Sequence, residues 1–179
     1  MRRFVIAALL AMLMLVLAVS AAFAASPHFK KGGEPVCTFS GTTSIPVTCT
    51  GTLAGLGNED LNLHLSVSGF ALYQCQNGGG NTAPGQNKVL VGPVTAPTTI
   101  PADQIKNGNV TFTTNPAVLT ASSTVTGAQA GCPNPNWTGV NPTLTLTNIT
   151  LTIAQGDQTL FTCTASNPNG LSGTVALTC

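Results

Sequence analysis

Charge is what this chain most lacks. Only 6% of its 179 residues are charged and 5% are aromatic, with a single Trp and a single Tyr. Arg2 and Arg3 lie at the extreme N-terminus. Beyond them four lysines (Lys30, Lys31, Lys88, Lys106) face five acids (Glu34, Glu59, Asp60, Asp103, Asp157), a net charge of −1. So sparse a set excludes nucleic acid as a partner, because displacing counterions needs a basic stripe. It also excludes electrostatic adhesion to anionic lipid. Helical periodicity is missing too. Beyond the first 25 residues no segment repeats apolar residues at i, i+3, i+4 and i+7, so no helix is predicted. The chain has two histidines, His28 and His64, and no Cys-x-x-Cys pair. Neither a metal site nor a cofactor is expected from that set.

What is present begins with a leader. Met1-Arg2-Arg3 precedes an apolar run from Phe4 to Val19, and small residues lead to Ala22-Phe23-Ala24. A positive start, an apolar middle and an A-x-A end predict a secretory signal peptide over 1–24. An uncleaved anchor is the alternative for so long an apolar run. No second stretch of about 18 apolar residues follows, so nothing beyond the leader is expected to cross a membrane. The expected location is extracellular or in the cell envelope.

Six cysteines lie beyond the leader, at positions 37, 49, 75, 132, 163 and 179. An even count in an exported chain predicts three disulfides. Solubility must come from neutral polar groups, of which the chain has 27 Thr and 14 Asn. Threonine suits strands because its branched Cβ packs well on a pleated surface.

The dominant period is two. Leu61, Leu63, Leu65 and Val67 alternate with Asn62, His64, Ser66 and Ser68, predicting a half-buried strand. Past Gly69 both parities are apolar, so Gly69 is expected to mark a bulge or bend. In 142–154, Leu144 and Leu146 take one parity and Ile149, Leu151 and Ile153 the other. A bulge is expected at Thr147-Asn148, since a one-residue slip flips every side chain. Further strands are expected over 36–40, 47–54, 88–94, 109–114, 118–125, 159–165 and 174–179. Gly- and Asn-rich turns separate them. About eight or nine short strands predict an antiparallel immunoglobulin-like β-sandwich. Residues 36–179 form that one domain, after an irregular lead-in over 25–35. Edge strands with few charges leave self-association open.

Geometry suggests the disulfide pairs. Cys37 and Cys49 flank Thr42-Thr43, a hairpin turn that would set them opposite each other. Cys75 and Cys132 each open an Asn-rich loop, Cys-Gln-Asn-Gly and Cys-Pro-Asn-Pro. Pairing these at one end of the sandwich leaves Cys163 with Cys179.

Some of these turns belong together. They are Leu53-Ala54-Gly55-Leu56-Gly57-Asn58, Cys75-Gln76-Asn77-Gly78-Gly79-Gly80-Asn81, Pro84-Gly85-Gln86-Asn87-Lys88 and Gly131-Cys132-Pro133-Asn134-Pro135-Asn136-Trp137. With Pro27-His28-Phe29 they resemble a group of small exported bacterial β-proteins of uncharacterised activity. The resemblance implies a secreted β-domain and transfers no activity or functional residue.

Candidate chemistry is thin. His64 and Ser66 share one strand face near Asp60, but i and i+2 residues stand roughly 7 Å apart. A nucleophile–base pair needs about 3 Å, so a polar solvent face is the better reading and no catalytic residue is assigned. Glu59, Asp60, Asp103 and Asp157 could offer oxygens to calcium, but no D-x-[DN]-x-[DN]-G pattern supports it. Thr143-x-Thr145-x-Thr147 and Thr150-x-Thr152 match water-ordering threonine rows as well as an ordinary amphipathic strand. Asn109, Asn136 and Asn148 open Asn-x-Thr triplets, which arise often in so Asn- and Thr-rich a chain. The remaining candidate is a carbohydrate- or protein-binding end built from Trp137, Asn77, Asn81, Asn134 and Asn136. The overall expectation is a non-enzymatic structural or binding protein, with a small hydrolase as the competing class.

Overall fold

A computed structural model describes residues 26–168 and 172–179. The expected signal segment 1–24 lies outside them. The first six strands are β1 (His28–Phe29), β2 (Val36–Ser40), β3 (Ser44–Ala54), β4 (Leu61–Gln76), β5 (Thr82–Pro84) and β6 (Val89–Ile100). The next are β7 (Val110–Thr113), β8 (Ala117–Thr120), β9 (Val125–Thr126), β10 (Thr138–Gln155), β11 (Gln158–Ser166) and β12 (Ser172–Ala176). They form two antiparallel sheets packed over one core, so the chain is an all-β protein.

In the first sheet β3 is central. Leu53 lies between Phe29 and Val110, and Val47 between Phe39 and Ala117. Hence β1 and β2 share one side of β3, and β7 and β8 share the other. β12 pairs with β2 and closes that flank. In the second sheet β4 and β10 run together from Leu61↔Gln155 to Gln76↔Thr138. β6 and β5 line the far side of β4, and β11 and β9 the far side of β10.

The flanks are sealed. After β12, Leu177 donates its N–H to the Pro35 carbonyl, while Thr178 pairs with Thr164 of β11. The C-terminal tail thus bridges the two sheets. On the opposite flank Asn115 donates its backbone N–H to Thr98 Oγ1 and its Nδ2 to the Pro97 carbonyl. With Pro93 and Pro97 on β6, the free edges are more interrupted than the sequence alone suggests.

Alternation explains the core. Leu61, Leu63, Leu65, Val67, Ala71, Tyr73 and Cys75 of β4 are all buried, facing Ile45, Val47, Leu53, Phe112 and Leu119 of the first sheet. A fully buried Leu, Ile or Phe side chain contributes about 1.5–3 kcal/mol. The bulge expected at Thr147 is present: Leu146 pairs with Gly69 and Asn148 with Ser68, leaving Thr147 over. It carries both parities of β10 into the core. The irregularity expected at Gly69 is present in both pairings of β4, but the apolar residues after it do not enter the core. β4 keeps its parity through Gly69, and the extra residues lie in its neighbours, at Thr147 of β10 and between Val91 and Val94 of β6. Phe70 and Leu72 therefore face outward rather than joining the core.

Three bridges tie the domain: Cys37–Cys49, Cys75–Cys132 and Cys163–Cys179. Cys37 and Cys49 are cross-strand partners in β2 and β3. Other expectations shift. The lead-in 25–35 contains β1. The 118–125 strand divides into β8 and β9, and β5 was not anticipated. A helix is also present: α1 (Gly127–Ala130) is one turn long, with a capping box in which Thr126 and Gln129 exchange hydrogen bonds. A second short turn, of 3₁₀ type, spans Ala102–Gln104. Both are too short to show an apolar helical period.

Tyr73 gives the core one polar anchor. Its ring is buried and its hydroxyl donates to the Ser122 carbonyl at 2.8 Å. Burial raises its pKa above the ordinary 10.0. The folded state thus holds the phenol proton more tightly than the unfolded state. Stability from this group is complete below about pH 10 and is lost as pH climbs through the raised folded value. Alkaline denaturation followed by circular dichroism should show this loss, and Tyr73→Phe should remove that pH-dependent segment. An unchanged alkaline slope in the variant would refute it.

Candidate functional site

The two ends of the sandwich differ in what they offer. At the end where β4 starts, the carboxamide of Gln155 is buried and fully used. Its Nε2 donates to the Gly57 and Glu59 carbonyls, and its Oε1 accepts the Gly57 N–H. It fixes the 57–59 turn beside a cleft of about 370 Å³ lined by Pro27, Asn58, Glu59, Gln158 and Leu160. Asp60 accepts the Ala102 N–H at 2.8 Å, capping the 3₁₀ turn. Its carboxylate is thereby directed to backbone. His64 is exposed on the outer face, between Thr152 and Pro97 on the neighbouring strands, and no hydrogen bond joins it to Asp60 or Ser66 among the described residues. Among the described residues no three His, Cys, Asp or Glu side chains group closely enough to hold a metal ion.

At the other end β4 runs out and four chain segments converge. Gln76 pairs with Thr138, so Asn77 follows it on one side and Trp137 precedes its partner on the other. β5 folds back onto Gln74–Gln76, and β9 pairs with Thr138 and Gly139. The Cys75–Cys132 bridge ties β4 to the loop after α1. Gln86 and Asn87 donate backbone N–H groups to the Ala130 carbonyl, and Asn87 Nδ2 donates to the Ala128 carbonyl. Gly131 ends α1 at φ 69°, a left-handed conformation that glycine takes without strain. The loops are therefore braced from below.

The candidate asparagines divide by role. Asn77 Oδ1 accepts N–H groups from Gly79 and Asn81, and Asn134 Oδ1 accepts from Asn136. These two oxygens shape their own loops, as Asn side chains in tight turns commonly do. Asn81 and Asn136 are exposed. Asn136 and half-buried Trp137 line an open groove of about 540 Å³ with Pro135, Gln129, Thr126 and Thr138. Among the described residues no charged one lines it. The structure thus brings Trp137 and Asn136 into one groove and sets the Asn77–Asn81 loop across the neighbouring strand end. Gln129 and Thr126 were missed from the sequence, although Thr126-x-x-Gln129 is a legible capping-box signal.

The Asn-x-Thr triplets fall in three settings. Asn109 Nδ2 is bound to the Lys106 and Asn107 carbonyls, Asn148 lies within β10, and Asn136 stands exposed on the groove loop. Among the described residues no helix is long and apolar enough to cross a membrane. No family model, curated protein or solved structure matches the chain.

Proposed function

We propose that this chain is an exported, non-catalytic protein of immunoglobulin-like class whose braced loop end binds an uncharged, hydroxyl-rich ligand, carbohydrate by chemical class. The observation that carries this reading is the Trp137 groove. One aromatic ring, the carboxamide of Asn136, the Nε2 of Gln129 and the hydroxyl of Thr138 line it with no charged side chain among the described residues, while Thr126 Oγ1 and Gln129 Oε1 are taken up by the capping box. Aromatic faces stack on apolar sugar faces, while amides and hydroxyls meet sugar hydroxyls as donors and acceptors. A charged ligand would be desolvated there without a counter-charge. Three disulfides support export, because such bridges persist in oxidising compartments. The two packed antiparallel sheets support the fold class, and the resemblance to small exported bacterial β-proteins belongs to the same reading. The hydrolase alternative draws no support from Asp60, which caps a turn, or from His64, which faces outward from a sheet.

Trp137 is the only tryptophan, so its fluorescence reports on the groove alone. Titration with neutral oligosaccharides should give a saturable change in emission. Trp137→Ala should weaken binding, read by calorimetry, at least tenfold, a loss of about 1.4 kcal/mol. Because Trp137 also packs against the core, the variant's melting temperature should fall, and binding is compared where circular dichroism shows both proteins folded. Emission that stays flat across a panel of neutral glycans would refute the assignment.

A further inference from the structure

We propose that the Trp137 groove is one half of a longer binding site, that its second half is a neighbouring hollow at Asn141, and that the ligand is an oligosaccharide chain rather than a single sugar. This rests on the neutral-glycan reading above and extends it. The hollow measures about 330 Å³ and is lined by Thr43, Thr120, Ala121, Ser123, Asn141 and Pro142. Among the described residues no charged side chain lines it. Its chemistry repeats that of the groove, hydroxyls with a carboxamide, here beside the apolar ring of Pro142. The two halves are joined along the chain. Ser123 lines the hollow, and the next residue, Thr124, lines the groove. On the other wall Thr138 lines the groove and Asn141 the hollow, roughly 10 Å farther along β10. A single sugar ring is shorter than that span, and two linked rings cover it.

β10 is irregular where it borders the hollow. Val140 pairs with Gln74 and Thr143 with Leu72, so Asn141 and Pro142 together oppose the single residue Tyr73. Such a β-bulge re-aims side chains and is over-represented beside functional sites. Asn141 takes φ 51°, a left-handed conformation uncommon outside glycine. Its Nδ2 donates to Gln74 Oε1 at 2.9 Å, which fixes the carboxamide and leaves Oδ1 as an acceptor. The walls are held from behind. Tyr73 donates its hydroxyl to the Ser122 carbonyl, Ala121 its N–H to the Thr43 carbonyl and Leu144 its N–H to the Thr42 carbonyl. The exposed side chains of Thr43 and Ser123 therefore stand on fixed backbone. Thr120 Oγ1 already shares a hydrogen bond with Ser44 Oγ at 3.0 Å, so it offers less. A site ordered in advance loses little freedom on binding. Trp137 supplies a stacking face for one ring, and the hollow supplies donors and acceptors for the next. A charged chain would lose hydration in both halves without a counter-charge.

Chain length tests this on the oxidised exported protein. Neutral gluco-, manno- and galacto-oligosaccharides, from the single sugar up to the hexamer, are titrated against Trp137 emission and by calorimetry. Within a series that binds, affinity should rise at least tenfold once the chain can span both halves, and then level off. Asn141→Gly removes the carboxamide and suits the left-handed backbone. Ser123→Ala removes one exposed hydroxyl. Each should cut the gain at least threefold, with circular dichroism showing the variant folded. An affinity that does not change with chain length would overturn the proposal and leave a one-sugar site at Trp137. So would a gain that survives intact in both variants. Flat emission with every series would sink the neutral-glycan reading itself, and this extension with it.

Discussion

Reduction of all three disulfides is expected to unfold the protein at 25 °C. The bridges close loops with sequence separations of 12, 57 and 16 residues. These loops do not overlap, so each constrains the unfolded chain independently. In the chain-entropy account they contribute about 3, 4 and 3 kcal/mol. Their total, about 10 kcal/mol, matches the whole stability of an ordinary domain, about 5–15 kcal/mol. Hydrophobic burial then leaves little margin once the staples are gone. The single-bridge variants should rank by loop length. Cys75→Ala with Cys132→Ala should cost about 4 kcal/mol in guanidinium unfolding, and each of the other two double variants about 3. Removing Cys75–Cys132 should also loosen the groove, because that bridge ties the end of β4 to the loop that carries Trp137. An equal loss from all three pairs would show that loop closure is not the source. A reduced protein that still melts cooperatively would show that the core suffices without them.

Legibility in the sequence followed the strength of alternation. Leu61 to Val67 placed β4, and the parity switch between Leu146 and Ile149 placed the bulge of β10, because a slip of one residue exposes a whole apolar set. The cysteine pairs were legible for a related reason. Cys37 and Cys49 flank one turn, and two Asn-rich loops led to Cys75 and Cys132. What failed was structure that leaves no period behind. His28–Phe29 and Thr82–Pro84 are two and three residues long, and α1 is a single turn. Apolar residues on the outside failed as well. Phe70 and Leu72 look like core in the sequence, and only the register of three strands shows them facing solvent. At the loop end, Trp137 was legible as the one exposed-aromatic candidate, and Asn77, Asn81, Asn134 and Asn136 only as an undivided set beside it. Only the hydrogen bonds of Asn77 and Asn134 divide that set, because an Asn that shapes its own turn and one exposed beside it look alike in sequence.

Gly69→Ala is expected to destabilise the protein by about 3 kcal/mol or more, the range reached when a packed interior is forced to accept added atoms. Gly69 is buried at the point where bulges in β6 and β10 flank β4. A Cβ there would press into the Thr145 carbonyl oxygen and lie 3.2 Å from Leu119 Cδ2. Gly92, across on β6, shares the seat: a Cβ on it would lie 3.0 Å from Leu119 Cδ1. The two glycines leave the space into which Leu119 of the facing sheet inserts, with no exposure to solvent. A double-mutant cycle separates the two contacts. Leu119→Ala alone should cost about 2–5 kcal/mol through the cavity it leaves. If the Thr145 backbone is what Gly69 protects, shortening Leu119 cannot relieve Gly69→Ala, and the two losses should add within about 0.5 kcal/mol. If the combined variant is instead markedly more stable than the sum, the glycine serves the Leu119 seat. The approach of β10 would then be the softer of the two contacts.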